Sequence, residues 1–168
     1  MKTGSCFCGK LHYEYSGEAA LNVSRRILLV LPLPARTAHL LTFGTQAICH
    51  CMTCQKLSGS TYTTNICIPE NNYRVTIGTP RTYNGTHESG MKMAFSFCGD
   101  CGVNISKTGD HDAFKGLVIV QAGTFDDAGG IKQAAPAAEL YVKDRVSWVS
   151  EFVGVGQIQE FPEVQSKL

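Results

Sequence analysis

The chain has 168 residues, 43% hydrophobic and only 17% charged, with 15 Lys and Arg against 14 Asp and Glu for a net charge of +1. That length fits one domain with a real core, and the apolar content excludes a disordered chain. A balanced charge with no basic stripe argues against nucleic acid as a partner.

Seventeen glycines, many turn pairs and short β-branched runs predict a mainly β fold. The eight cysteines fall into clusters: Cys6 and Cys8, then Cys49, Cys51 and Cys54, then Cys67 alone, then Cys98 and Cys101. C-x-C and C-x-x-C steps suit a shared ion better than separate cross-links. Met1–Ser5 runs straight into Cys6 with no apolar signal segment. The expectation is metal rather than disulfides, in a reducing, cytoplasmic compartment.

In chain order, Cys6 and Cys8 precede an alternation of Leu11, Tyr13 and Tyr15 with Lys10, His12 and Glu14, the period of a half-buried strand. Gly9 permits the bend away from the metal, and His12 is read as a strand histidine rather than a ligand. Residues 23–46 break the pattern, with Ile27–Leu31 followed by Pro32 and Pro34. The apolar run is far short of the roughly 20 residues that cross a bilayer, so no membrane partner is expected. Two readings compete for this stretch. One is a translated, unspliced intron, since Val-Ser can be encoded by a splice-donor-like GTAAGT and Gln by an acceptor-like CAG. The other is a genuine surface insertion or lid.

Cys49-His50-Cys51-Met52-Thr53-Cys54 packs three thiols into six positions. In a strand, residues i and i+2 face one way, so Cys49 and Cys51 can point at one ion while His50 faces away. Gln55–Ser60 then brings a cation, hydroxyls and a glycine directly after the thiolates, which suggests a reactive site. Thr61–Ile68 and Tyr73–Ile77 read as strands, with Cys67 a core thiol in the first of them. Phe95 and Phe97 alternate into Cys98-x-x-Cys101-Gly102, a zinc-knuckle turn in which Gly102 takes positive φ. Gly116–Gly123 reads as a buried strand, and Glu139–Lys143 and Arg145–Trp148 follow Pro136.

These motifs form an ordered set: Gly4-Ser5-Cys6-x-Cys8-Gly9, Cys49-His50-Cys51-x-x-Cys54-x-Lys56-x-Ser58-Gly59, Phe97-Cys98-x-x-Cys101-Gly102, Gly123-Thr124-Phe125-Asp126 and Glu139-Leu140-Tyr141-x-x-x-Arg145-x-x-Trp148. Over residues 4–22 and 47–150 the chain resembles the glutathione-dependent formaldehyde-activating enzymes, also called the centromere protein V family. The resemblance implies a zinc-stapled β-tent of small antiparallel sheets in a single domain, residues 1–168. It implies two Zn2+ per chain: a structural ion on Cys6, Cys8, Cys98 and Cys101, and a catalytic ion on Cys49, Cys51 and Cys54. Two departures stand out: Gln55 where the family often has Arg, and the segment between 22 and 47. Removing residues 23–46 brings Cys8 and Cys49 to a spacing closer to the family's.

The chemistry follows from the ligand counts. Four thiolates close a tetrahedral zinc, whereas three leave one position open. A three-thiolate zinc is a poor maker of hydroxide but a good site for a soft thiolate. The expected activity is a carbon–sulfur lyase or synthase joining glutathione to formaldehyde or a similar small electrophile, with Lys56 or Ser58 steadying the developing alkoxide. The alternatives are a zinc lyase acting on another glutathione adduct and a non-catalytic zinc scaffold.

Overall fold

A computed structural model describes residues 1–16, 46–126 and 136–160. The chain alternation becomes strands β1 (Lys2–Ser5), β2 (His12–Tyr15), β3 (Gln46–Cys49), β4 (Thr63–Pro69), β5 (Tyr73–Ile77), β6 (Arg81–Thr86), β7 (Lys92–Phe97), β8 (Asn104–Gly109), β9 (Leu117–Gln121), β10 (Pro136–Leu140) and β11 (Gly156–Ile158). Between β3 and β4 lies helix α1 (Met52–Ser58), where the sequence suggested only a tight turn. The sheets are a three-stranded one, β1-β2-β5, and an eight-stranded one, β11-β10-β3-β4-β9-β8-β7-β6. The fold is mainly β, as the sequence reading expects. Within the larger sheet β10 runs parallel to both β3 and β11, while the other pairs are antiparallel.

Strand alternation divides the molecule into two cores. Ile66 pairs with Val120 and Ile68 with Val118, while Cys67 pairs with Ile119 between them. Successive side chains leave opposite faces of a sheet, so these neighbours build different cores. Ile66, Ile68, Val118 and Val120 meet Leu11, Tyr13 and Tyr15 of the small sheet, together with Cys6 and Cys98. Ile119 and Cys67 meet Met91, Met93, Phe95, Phe114 and the cysteines of residues 49–54. Full burial of a side chain such as Ile68 stabilises the fold by about 1.5–3 kcal/mol.

The Gly123–Asp126 motif joins the two sheets. Thr124 Oγ1 and Tyr13 Oη are 2.7 Å apart, Ser5 Oγ donates to Asp126 Oδ1, and Gly4 bridges Phe125. Gly4 is required by close approach, because a Cβ there would lie 2.1 Å from the Tyr13 ring.

Glu139 and Arg145 hold the C-terminal strand in place. Glu139 is fully buried and accepts from Arg145 Nη1 and from the Phe152 N–H, while Arg145 also donates to Gln157 Oε1. Arg145→Ala would strand a buried carboxylate, so it is expected to destabilise the protein by about 3–5 kcal/mol. Urea unfolding of Arg145→Ala beside Arg145→Ala/Glu139→Leu checks this, the double variant recovering most of the loss. Trp148, its partner in the motif, is mostly exposed.

Of residues 23–46, only Gln46 is described: it is buried at the start of β3, opposite Ile66. The rest of that segment, with its proposed intron or lid, lies outside the described residues, as does the tail beyond Glu160. Among the described residues no helix is long and apolar enough to cross a membrane.

Candidate functional site

Two cysteine groups gather on opposite faces of the large sheet. The quartet, Cys6, Cys8, Cys98 and Cys101, has all four sulfurs within 4.8 Å of one another. Its two halves are matching turns. The Cys6 N–H donates to Leu11 O and the Cys98 N–H to Val103 O, both at 2.9 Å. Gly102 takes φ 74°, as the knuckle requires. Backbone N–H groups also reach the sulfurs, Leu11 N to Cys6 Sγ at 3.3 Å. Hydrogen bonds from Val103 and Cys8 backbone hold Cys101 down to about 6. Cys8 goes the other way, up to about 12, because crowding by the other sulfurs and burial outweigh the Lys10 N–H. Four sulfurs this close cannot all ionise without a cation among them, so the donor set fits a metal ion.

The trio, Cys49, Cys51 and Cys54, is buried, with its sulfurs likewise within 4.8 Å. Cys49 ends β3; Cys51 is the N-cap of α1 and accepts the Cys54 N–H at 3.3 Å. His50 points away, between Tyr62 and Glu139. The extended step from Cys49 to Cys51 and the first helical turn from Cys51 to Cys54 thus bring the three sulfurs together. Hydrogen bonds from Cys49 and Cys51, then the charge of Lys107 and a bond from Thr63, outweigh burial and hold Cys54 well below the usual thiol range. Cys49 rises to about 12: a bond from Cys51 lowers it, but the Cys54 thiolate and burial prevail. The trio therefore shares charge unequally, and the donor set suits a soft divalent ion with one position left open.

Lys107 supplies the buried cation. It sits on β8, 5% exposed, with Nζ 3.2 Å from Cys54 Sγ. Burial alone would discharge it, but the Cys54 charge outweighs that and lifts its pKa. Beside it lies a largely apolar cavity of about 50 Å3 that includes the trio, Asn65, Cys67, Met91, Met93 and Ile119 in its walls. Burial pushes the Cys67 thiol up to about 12, so it remains protonated.

His87 and Glu88 lie within 4.8 Å of Cys51 Sγ. Glu88 serves the helix start, and His87 is engaged by Ser89 and Glu88. Glu88 Oε1 accepts the Met52 N–H at 2.8 Å and Oε2 accepts from the Thr53 N–H and hydroxyl. His87 Nδ1 accepts the Ser89 N–H at 3.1 Å, which leaves its proton on Nε2, 3.3 Å from Glu88 Oε2. Burial raises the Glu88 carboxyl, but the bonds from Thr53 and Met52 hold it below its ordinary range. Glu88→Gln is expected to weaken metal retention at the trio by about 10–100-fold, as losing a ligand-orienting partner does. Competition with a chromophoric chelator measures this directly, and an unchanged affinity would remove the role.

Of the residues expected to be catalytic, Cys49, Cys51 and Cys54 are brought together. Lys56 and Ser58 are exposed on α1, outside the cavity walls. The Ser58 hydroxyl is spent on the Cys54 carbonyl at 2.8 Å and accepts the Ser60 N–H. Gln55, in place of the family's common Arg, donates to the His50 and Asp144 carbonyls. Lys107, Asn65, Glu88 and His87 escaped the sequence reading, since none has a distinctive spacing from the cysteines.

A model of the family described as glutathione-dependent formaldehyde-activating enzyme matches residues 38–144. A crystal structure of a Rhodobacter sphaeroides protein is similar at TM-score 0.49 and 14% identity, covering 79% of this chain and 97% of that one. No curated protein matches the chain. The family match spans more than half of the sequence and takes in the trio, Lys107 and the second half of the quartet; the chain belongs to the glutathione-dependent formaldehyde-activating enzyme family.

Proposed function

We propose that this protein is a carbon–sulfur lyase or synthase that joins the thiol of glutathione to formaldehyde or a similar small electrophile. One zinc is held by the quartet for structure and one by the trio for chemistry. The observation that carries the reading is the trio's placement: three converging buried sulfurs open onto a small cavity beside a buried lysine.

Zinc at the trio would supply a soft fourth position that holds a thiol in its thiolate form. The protein's residues do the rest. Cys49, Cys51 and Cys54 fix the ligand geometry, and Glu88 anchors the helix turn that carries Cys54. Lys107 offsets one of the negative charges gathered there, which lets a further anionic sulfur approach. The apolar walls keep bulk water away from the reacting carbon. No change of oxidation state occurs, so no redox cofactor is needed.

The grouping of seven cysteines into a quartet and a trio that could each hold an ion suits a reducing, cytoplasmic setting. The scaffold alternative gives no reason to bury a lysine against thiolates beside a cavity. The test is NMR exchange between labelled formaldehyde and S-hydroxymethylglutathione in the presence of the zinc-replete protein. Exchange no faster than the uncatalysed reaction would end this reading.

A further inference from the structure

Asn65 is a buried polar side chain that the trio's metal chemistry leaves unexplained. It stands on β4, 5% exposed, on the face that carries Thr63 and Cys67. Its Nδ2 donates to Thr63 Oγ1 at 2.9 Å and lies 3.5 Å from the Thr63 carbonyl oxygen. A carbonyl only accepts, so the nitrogen must occupy that end of the amide. Oδ1 is left at the other end, fully buried and without a hydrogen-bond partner among the described residues. Buried acceptors are rarely left unpaired in a folded protein. Asn65 lines the same cavity as Lys107, and the other walls include Met91, Met93, Phe114 and Ile119.

Thr53 and His87 also line it but are engaged by Glu88, so the unpaired acceptor and the cationic donor call for a ligand with an oxygen on a small carbon body. The size is limited as well. A water needs about 10–15 Å3 of such space, so a cavity of about 50 Å3 takes about three to five such units.

We propose that this cavity is the carbonyl chamber of the enzyme, admitting aldehydes of about one to three carbons, with Lys107 donating to the oxygen and Asn65 accepting from the hydroxyl it becomes, the pair setting specificity. The inference rests on the reaction proposed above. The thiol gives its proton to solvent, and the sulfur pair forms the bond to the carbonyl carbon. The π pair moves onto oxygen, which takes a proton from solvent, so atoms and charge balance with no oxidant or reductant. Lys107 Nζ donates to the oxygen as charge develops on it. Asn65 Oδ1 gains a partner only when that oxygen carries a proton, in the hydroxyl of the adduct or of an aldehyde hydrate. The pairing therefore favours the hydroxyl of the adduct over the free carbonyl, while Lys107 meets the charge that develops between them.

The test uses the zinc-loaded full chain with methionine methyl groups labelled with carbon-13, and aldehyde without glutathione. Saturable shifts are expected for Met91 and Met93 on adding acetaldehyde. Met1 and Met52, both exposed, should not move. Benzaldehyde should shift none of them. In Asn65→Leu, half-saturation should need at least about tenfold more acetaldehyde, because its hydrate loses the hydroxyl bond that Asn65 Oδ1 accepts. With glutathione present, the same variant should raise KM for the aldehyde by a similar factor. Ile119→Ala, which enlarges the chamber, should extend turnover to benzaldehyde.

Static Met91 and Met93 signals in the wild-type protein would overturn the proposal, as would an unchanged KM in a folded Asn65→Leu. Should Asn65→Leu not fold, the wild-type titration and the Ile119→Ala substrate range still decide. Methyl shifts without catalysed exchange would uphold the chamber and sink the reaction; exchange without shifts or size limit would do the reverse.

Discussion

Cys98→Ser is expected to lower the melting temperature by at least about 10 °C, from the roughly 2–4 °C per kcal/mol that applies to domains of this size. The quartet links two turns that are far apart in sequence, Cys8 to Cys98 across 3.7 Å between sulfurs. Among the described residues the exposed Lys10–Asp100 ion pair, 2.8 Å, spans the same two turns, but an exposed pair contributes little. Structural zinc sites contribute about 10–16 kcal/mol of apparent binding energy in small peptides, and a serine in the shell forfeits much of it. Cys6 and Cys98 also belong to the core shared by the two sheets, so a loosened turn exposes apolar surface. Calorimetry with metal analysis checks the result. Zinc at one per chain, lost stability and no restoration by added zinc are expected. A melting curve that superimposes on the wild type would show that the quartet is not the staple.

Cys54→Ser is expected to separate catalysis from folding. The variant should lose the trio's metal and at least about a hundredfold in exchange rate, since even ligand-orienting partners are worth 10–100-fold. It should also lose stability, because Lys107 would remain buried 3.2 Å from a neutral hydroxyl instead of a thiolate. Stranding one member of a buried charge pair costs about 3–5 kcal/mol. The second substitution makes the argument sharp. Cys54→Ser/Lys107→Met should recover most of that stability while remaining inactive, a non-additive pair of the kind contacting residues show. Denaturant midpoints for the two single variants and the double variant measure the coupling. Additive losses would mean that the lysine and the thiolate do not act as partners.

The cysteine arithmetic made both metal groups legible, because thiolates that share an ion must recur at short fixed spacings. Strands with clean alternation were legible for the same kind of reason: Tyr13 and Tyr15, or Phe95, declare their buried face by period two. Helix α1 was not. Met-Thr-Cys-Gln-Lys-Leu-Ser carries no strong helix signal. It is held by the Cys51 cap and by Glu88, a contact 36 residues away from Met52. Lys107 was invisible because a lysine within a strand normally marks the solvent face, and only the sheet's register sets it beside Cys54. The same holds for Asn65. Lys56 stands close to the thiols in sequence, but the helix turns it outward.

The β4–β9 ladder runs between the two sulfur groups as a partition, with Ile66 and Val120 on one side and Cys67 and Ile119 on the other. The two ions would consequently exchange on separate clocks. A molecule stripped of its reactive ion would persist as an intact shell, ready to be recharged, so that metal supply could throttle turnover without the protein being made anew.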